Sequence, residues 1–467
     1  MTPAVLARAI LAVPACPLAA AAALGAWWAL VGKPSEGVTA RVVVGSLGLQ
    51  LASALCALAA FLWGGGSALH VHSGRWFEAG AYGFEVTFLV DALSAPLVVL
   101  AALLTFVVAW FSVRYLHREP GFFRFFTLLA VFAAGAGLLF GGGSYDILFI
   151  GWELVGLTSA LLIGFFHERR TPMRAALRAI TTYRVCDIGL VVGAVFIHDV
   201  AHGAAYVEAF GPAPWPRGAL HASAPEATLI VLCLLVAASG KSALLPVGTW
   251  LPRAVEGPTP SSALYYCALS VHAGAYLLLR STPFLRASPF GAACVAVVGV
   301  GSAALASMIG RAQVDAKGAI AWASMTHVGL IVAEIGLGFP RVALVHLVAH
   351  ALLRTWQMLR APSWLHDELA LRAAADGAPL PTGSAWRVLV PARALDALYR
   401  LAYDRFFFET AQQRYVAGPV LRLGRYLDRA ERRWVEAVGA WHPPATPPDS
   451  ARPSAMNTRV EEAQHEP

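Results

Sequence analysis

The chain has 467 residues, of which 58% are hydrophobic and only 13% are charged, and its formal net charge is +7. This composition excludes a soluble globular protein and predicts a polytopic membrane protein. The positive charge therefore bears on membrane topology, and no arginine-rich or aromatic-interleaved face indicates nucleic-acid binding.

Apolar runs long enough to cross a bilayer predict an all-α fold of about eleven transmembrane helices. Their expected bounds are Val5–Val31, Arg41–Trp63, Leu93–Tyr115, Phe122–Phe140, Tyr145–Phe166, Ala175–Ile197, Ala227–Trp250, Ser261–Leu279, Phe290–Ile309, Ala319–Gly338 and Val342–Leu359. The first run resembles a signal peptide but is too long for one, so we expect a retained span. Between the second and third runs, alternating apolar residues over 70–90 predict a small β-hairpin at the membrane face.

Basic residues in the short loops predict the orientation. The richer side carries Lys33, Arg41, Arg114, Arg118, Arg124, Arg169, Arg170, Arg174, Arg178, Arg253, Arg311 and Lys317. The other side carries Arg8, Arg75, Arg217, Arg280, Arg286 and Arg341. The richer side is expected to be cytoplasmic. The protein is expected in the cell inner membrane. An odd number of spans then places the N-terminus outside the cytoplasm and the C-terminus in the cytoplasm.

The region after the last run is more polar. Residues 360–391 read as a mixed linker, and residues 392–441 contain two amphipathic helical stretches broken near Gly418 and Pro419. These stretches either lie on the cytoplasmic membrane face or form a docking site for a soluble partner, and both alternatives stay open. The remaining tail is rich in Pro, Ser, Ala and charge, which predicts disorder.

The seventh run carries Lys241 before a break at Pro246. Counting from Ala227 puts Lys241 roughly 21 Å along a span of about 30 Å of hydrocarbon. A charge there costs at least about 2.5 kcal/mol, which favours a functional site over a lysine that snorkels to the far interface. A desolvated ammonium can lose its proton, unlike a guanidinium, so proton exchange is indicated. Further breaks are expected at Pro258 and Pro260.

Other ionisable residues fall inside the fifth and sixth runs. Glu153 is either a residue near a helix end that keeps contact with water, or the partner of a buried cation, for which Lys241 is the candidate. Arg184 and Asp187 are three residues apart and are expected to form an ion pair, with a structural role and a conduction role both open.

The eleventh run carries His346, His350 and Arg354 four residues apart, on one face of an otherwise apolar helix. A single buried histidine is usually a satisfied core residue. Three ionisable groups in register favour a water-filled path, and histidine exchanges protons at physiological pH. His327 in the tenth run could extend this path, as could His272 in the eighth.

No catalytic, cofactor or metal-binding pattern competes with this interpretation. The sequence has no G-x-G-x-x-G, no phosphate loop, no H-E-x-x-H and no nucleophile elbow. The six cysteines lie in apolar runs without ligand spacing and are expected to be small core residues: Cys16, Cys56, Cys186, Cys233, Cys267 and Cys294.

An ordered set of motifs covers roughly Phe84 to Leu359. It comprises Val90–Ser94, Gly151–Leu157, Arg184–Asp187, Gly240–Ala243 with Pro246 and Trp250, Gly257–Pro260, Asp315–Lys317 with Ser324, and His346–His350. These motifs resemble the antiporter-like proton-translocating membrane subunits of respiratory complex I. The same superfamily includes the Mrp antiporters and the membrane subunit of DAB-type inorganic-carbon complexes.

The resemblance implies roles for particular residues. Glu153 and Lys241 would be the membrane-embedded acid/lysine pair, and Lys317 and the two histidines His346 and His350 would belong to a central proton path. It also implies inverted repeats. The domains expected are N-terminal helices over 1–115, a first repeat over 116–282, a partial second repeat over 283–361, cytoplasmic helices over 362–441 and a tail over 442–467.

Three departures from the family pattern bear on function. Arg354 stands where a lysine is usual, Tyr266 where a histidine is usual, and the second repeat is expected to be truncated. The truncation favours a DAB-like subunit for bicarbonate uptake with a soluble, zinc-containing partner. The alternatives are a proton-pumping subunit of a complex I-like oxidoreductase or hydrogenase, and a non-conducting membrane anchor.

Overall fold

The computed structural model describes residues 3–79, 82–201, 203–220, 222–265, 268–313, 315–374, 391–412, 414–415 and 418–437. They fall into two compact units, Met1–Phe406 and Phe407–Pro467. The expected disordered tail over 442–467 lies outside the described residues, as do Tyr266, Cys267 and residues 375–390 of the expected linker.

Ten helices among the described residues are long and apolar enough to cross a membrane, so the chain is an all-α polytopic membrane protein. They are α1 (Pro3–Leu30), α2 (Glu36–Trp63), α3 (Ser94–Tyr115), α4 (Phe122–Gly141), α5 (Tyr145–Ile163), α6 (Arg170–Ala201), α8 (Ala224–Lys241), α12 (Pro289–Gly310), α13 (Ala316–Gly336) and α14 (Pro340–Ala374). Shorter helices are α7 (Tyr206–Phe210), α9 (Thr259–Tyr265), α10 (His272–Arg280) and α11 (Thr282–Ala287).

The single sheet of the described chain is the hairpin between α2 and α3. Strand β1 (Leu69–Ala79) pairs antiparallel with β2 (Tyr82–Val90). At its base, Val71, Phe88 and Val90 pack with Phe61 of α2, which seats the hairpin on the helices. The hairpin therefore marks one membrane face, the face on which α2 ends and α3 begins.

A buried ion pair lies just beyond the hairpin. Asp91 accepts hydrogen bonds from the backbone of Leu93 and Ser94 at the start of α3, and from Arg280 at the end of α10 at 2.6 Å. Burial is the largest influence on the pKa of Asp91 and raises it, but the Arg280 guanidinium and the hydrogen bonds from Ser94 together hold the pKa of this carboxyl below its usual range. The pair joins the hairpin face of α3 to α10.

The largest difference from the sequence expectation lies between Lys241 and Arg280. Helix α8 ends at Lys241, and a 3₁₀-helix over Gly248–Glu256 follows Pro246. The span expected at Ser261–Leu279 consists instead of the two short helices α9 and α10. All described residues of both helices are buried, so protein and not lipid surrounds their interrupted backbone. A break at membrane depth is tolerated under that condition.

Helices α12 and α13 pack closely through small residues. A side-chain carbon at Gly299 would come within 2.4 Å of the Ala333 backbone nitrogen, and one at Gly329 within 2.6 Å of the Ala303 nitrogen. Glycine at both positions lets the two backbones approach, as is common between membrane helices. This contact holds α13 in place beside α14.

Helix α14 continues to Ala374, well past its expected end at Leu359. Beyond it, the first unit contains α15 (Ala392–Tyr403), and the second contains α16 (Phe408–Gln412) and α17 (Gly418–Ala437). Helix α17 exposes Leu423, Leu427 and Trp434 among its arginines. It therefore has the amphipathic character expected from its sequence.

Candidate functional site

Ionisable side chains gather in two places in the first unit. The lysine cluster is built from α5, α6 and the end of α8 and consists of Trp152, Glu153, Tyr183, Arg184, Asp187 and Lys241. The histidine row is built from α10, α13 and α14 and consists of His272, His350, His327 and His346.

Lys241 is the last residue of α8 and is 1% exposed. Its Nζ donates a hydrogen bond to the Trp152 carbonyl at 3.2 Å and lies 4.8 Å and 4.5 Å from the ring centres of Trp152 and Tyr183. A helix C-terminus and two aromatic faces both favour a cation. Gly156 provides the space, since a side-chain carbon there would meet Nζ.

The acidic partners differ from those expected. Arg184 pairs with Glu153 at 2.5 Å, while Asp187 accepts a hydrogen bond from the Trp152 indole at 2.6 Å. The intrahelical Arg184–Asp187 pair and the direct Glu153–Lys241 pair are thus replaced by contacts between α5 and α6. Asp187 and Glu153 both act electrostatically on Lys241. Lys241 makes no direct ion pair with either carboxylate in the described part of the chain.

The histidine row consists of two hydrogen-bonded pairs whose inner rings stack. His272 Nε2 and His350 Nδ1 are 2.9 Å apart, and His327 Nδ1 and His346 Nε2 are 3.0 Å apart. The rings of His350 and His327 stack at 5.3 Å between centres, which links the two hydrogen-bonded pairs. His272 and His350 are fully or almost fully buried. Each imidazole can donate from one nitrogen and accept at the other, so a proton can pass within each hydrogen-bonded pair.

Glu334 ends the row and was missed in the sequence analysis. Its Oε1 lies 2.8 Å from His346 Nδ1. The residue follows His327 by seven positions, which places both on one face of α13. That spacing was visible in the sequence and would have found it.

Several expected path residues lie elsewhere. Lys317 is in the first turn of α13, about 15 Å along the helix from His327, and is not part of the row. Arg354 follows His350 by one turn of α14 and donates to Gln357 at 2.6 Å. Pro246 and Pro258 lie on either side of the 3₁₀-helix that separates α8 from α9, whereas Pro260 lies in the first turn of α9.

The two clusters are linked through the residues that follow Lys241 and precede His272. Ser242 donates to the Val271 carbonyl at 2.6 Å. The hydroxyls of Tyr183, in the lysine cluster, and of Ser270, two residues before His272, are both buried without a hydrogen-bond partner in the described chain. The end of α8 therefore adjoins the start of α10, which carries the first histidine of the row.

Within the described ranges, no group of three or more His, Cys, Asp or Glu side chains is placed to hold a metal ion. The chemistry that this arrangement can perform is the transfer of protons between neighbouring amine, imidazole and carboxyl groups.

Comparison with known proteins places the chain among respiratory and antiporter membrane subunits. The family model described as "NADH:quinone oxidoreductase/Mrp antiporter, TM" matches residues 144–378, half of the chain. A second, described as "NADH-Ubiquinone oxidoreductase (complex I), chain 5 N-terminus", matches residues 76–126.

Curated relatives agree with these models. NADH-ubiquinone oxidoreductase chain 5 of Cryptococcus neoformans is 35% identical over 71% of this chain and 49% of its own length. NADH-quinone oxidoreductase subunit L of Pseudomonas aeruginosa is 35% identical over 68% of this chain and 52% of its own length. The chain thus spans about half the length of the curated relatives that it matches.

Two solved structures share the fold. A chain of the Mrp complex from Dietzia sp. superposes with a TM-score of 0.60 at 24% identity, covering 77% of this chain and 37% of that chain. A chain of the archaeal membrane-bound sulfane sulfur reductase superposes with a TM-score of 0.62 at 18% identity, covering 75% of this chain and 70% of that one.

Proposed function

The chain belongs to the NADH:quinone oxidoreductase/Mrp antiporter family of membrane subunits, and we propose that it translocates protons as one subunit of a multi-subunit membrane complex. The observation that carries the proposal is the sequence of exchangeable groups from Lys241 to the histidine row, which lies across the interrupted helices.

Burial supports an active role for these groups. An ionised amine at membrane depth is costly, and so are unpaired polar atoms. In the described chain, His350 Nε2 and the Ser324 and Thr355 hydroxyls are buried without a hydrogen-bond partner. Buried polar atoms of this kind are normally satisfied by water, which supports a hydrated path beside the histidine row.

In the proposed mechanism, Lys241 takes up and releases the proton in the lysine cluster. Glu153 and Asp187 offset its charge while it is protonated, and Arg184 balances the two carboxylates in turn. Water bound to the buried, unpartnered hydroxyls of Tyr183 and Ser270 would carry the proton toward His272. Within each hydrogen-bonded pair the imidazoles pass the proton by exchanging donor and acceptor nitrogens, and water at His350 Nε2 would join the two pairs.

Membership in a larger complex is supported by Arg184. Its side chain is 56% exposed on α6, although it lies 14 residues into a helix that spans the membrane. A charged group that faces lipid at that depth is unfavourable, so we infer that a neighbouring membrane subunit contacts Arg184 and shields it from lipid. The relatives are named as parts of respiratory oxidoreductases, and one fold relative comes from an Mrp complex.

The more specific expectation of bicarbonate uptake with a zinc-containing soluble partner has no support from these matches. They favour the alternative, a proton-pumping subunit of a complex I-like or Mrp-like assembly. We place the chain in the bacterial inner membrane, with the basic loops on the cytoplasmic side, as the relative from P. aeruginosa and the loop charges suggest.

Proton uptake into proteoliposomes tests this proposal. The chain would be purified with its native partners, reconstituted, and driven by an imposed potassium diffusion potential while a trapped dye reports pH. Lys241→Met is expected to slow uptake by about 10²-fold or more, because a positioned proton carrier is worth about that much.

Lys33→Met is the matched control. Lys33 Nζ also donates to a carbonyl, that of Pro120 at 3.0 Å, but on an exposed surface. This variant should keep wild-type uptake. Equal uptake by the Lys241→Met variant and the wild type would reject the role of Lys241. Wild-type uptake no faster than protein-free vesicles would make the chain a non-conducting anchor.

A further inference from the structure

We propose that Glu334 is the proton-carrying residue at which the histidine row opens to the hairpin face of the membrane. This inference rests on the proposed proton translocation and adds the site at which protons enter or leave. Its starting point is the Glu334–His346 contact at 2.8 Å, at the end of a row whose other end is fully buried.

Glu334 lies at the correct depth for such an opening. It is two residues before the end of α13, so it is only about 3 Å from the helix end. His346 is six residues into α14, or about 9 Å from its start. The side chains of Glu334 and His346 are 25% and 22% exposed, and His327 is also half-buried, whereas His350 and His272 are 3% and 0% exposed.

An open groove lies at the turn between α13 and α14. We call it the turn groove; its volume is about 370 Å³, and it is lined by Pro216, Arg217, Arg286 and residues 338–342. The groove is wide enough for many water molecules. The Phe339 N–H of the groove donates to the Glu334 carbonyl at 2.9 Å, so the groove adjoins the end of the helix that carries this carboxylate.

The turn groove is on the hairpin face. Arg217, which lines it, also lines a cavity beside Asp91, Arg280 and His70 at the base of the hairpin. The row therefore runs from the hairpin face at Glu334 to His272 beside the lysine cluster. A carboxylate at its outer end can take a proton from water and pass it to His346 Nδ1.

The test measures proton uptake by the reconstituted complex, as described for Lys241. Glu334→Gln removes the exchangeable proton but keeps the shape and an amide hydrogen bond to His346, and it should slow uptake by about 10²-fold or more. Glu334→Asp keeps a carboxyl group and should restore part of the rate. The Glu334→Gln/His346→Gln double variant should be no slower than the slower single variant, because the two groups act in series.

Glu36→Gln is the matched control. Glu36 forms a carboxylate–imidazole contact of nearly the same length, 2.9 Å to His117, outside the row. Its substitution should leave uptake unchanged, which separates loss of a proton carrier from loss of a Glu–His contact in general.

A labelling experiment keeps Glu334 intact and so does not depend on the folding of the Gln variant. Phe339 is 57% exposed in the turn groove, and Trp63 is 86% exposed at the end of α2 on the same face. A bulky impermeant maleimide on Phe339→Cys should slow uptake by obstructing the groove, whereas the same label on Trp63→Cys should not.

The outcomes separate the two proposals. Wild-type rates in Glu334→Gln, or in fully labelled Phe339→Cys, overturn the assignment of Glu334 while leaving proton translocation standing. Failure of the wild-type complex to take up protons overturns the proposed function and this assignment with it.

Discussion

At the scale of single residues, two ion pairs of similar length differ in how deeply their side chains are buried. Asp91 and Arg280 are 2.6 Å apart with side-chain exposures of 8% and 3%, and Glu153 and Arg184 are 2.5 Å apart with exposures of 22% and 56%. Removing one member of a buried pair strands a charge and costs about 3–5 kcal/mol, whereas partly exposed pairs contribute about 0.2–1 kcal/mol. Asp91–Arg280 is therefore the structural pair, and Glu153–Arg184 is free to serve function.

We expect Asp91→Asn to remove a pH-dependent part of the stability. The pKa of Asp91 is depressed in the folded chain, so its contribution is complete above the unfolded value of about 3.9 and is lost as pH falls through the lower folded value. At pH 7 the free energy of unfolding of the variant should be about 3–5 kcal/mol lower than that of the wild type. This difference in the free energy of unfolding should shrink as pH falls below about 4.

Thermal unfolding of the detergent-purified protein across this pH range measures the effect. Asp428→Asn is the control, because Asp428 pairs with Arg432 on an exposed helix surface and should change stability little. A gap between Asp91→Asn and wild type that stays constant down to pH 3 would contradict the assignment.

At the scale of elements, the placement of the histidine row depends on how α13 is held. Gly299 and Gly329 bring α12 and α13 into backbone contact, and α13 then presents His327 and Glu334 toward α14. A wider spacing between α12 and α13 would shift these side chains by more than the tolerance of a hydrogen bond.

Gly299→Ala tests this contact against Gly301→Ala. Both glycines lie in α12, but an added carbon at Gly301 meets nothing within 4 Å, whereas at Gly299 it meets backbone at 2.4 Å. Both variants gain the same helix propensity of about 1 kcal/mol, so the difference between them isolates packing. We expect Gly299→Ala to be the less stable by about 1–3 kcal/mol.

The midpoint temperature of each purified variant gives the comparison. Proton uptake should fall with Gly299→Ala and not with Gly301→Ala. Identical midpoints for the two variants would show that the close approach of α12 and α13 does not limit stability.

At the scale of the whole molecule, the chain corresponds to about half of the curated relatives that it matches. Both the lysine cluster and the histidine row lie within residues 1–406, which form one unit. The route that we propose from Lys241 to the hairpin face therefore uses residues of this unit alone.

The loop charges predict that the hairpin face lies outside the cytoplasm. Arg169→Cys lies in the basic loop between α5 and α6, and Phe339→Cys lies in the turn between α13 and α14. In intact cells an impermeant maleimide should label Phe339→Cys alone, and after permeabilisation it should label both. Labelling of Arg169→Cys in intact cells would show that the orientation is opposite to the one predicted.

The sequence by itself determined the fold class and most of the spans, and it singled out Lys241, His346 and His350 as ionisable residues inside those spans. Each of these follows from the free energy of placing a single residue or run in lipid, or from the spacing of residues along one helix. Apolar runs of 20 residues leave a bilayer as their only favourable solvent, a lysine inside one is expensive, and histidines four apart must share a helix face.

Only the tertiary structure decided which charges meet. Arg184 was expected to pair with Asp187 on its own helix, but packing of α5 against α6 gives it Glu153 and gives Asp187 the Trp152 indole. His272 and Glu334 enter the row through contacts between residues 78 and 12 positions apart, respectively. The span expected at Ser261–Leu279 divides into two short helices, because neighbouring protein and not lipid surrounds its interrupted backbone. Such partnerships depend on which helices are adjacent, and the period of a single helix carries no information about its neighbours.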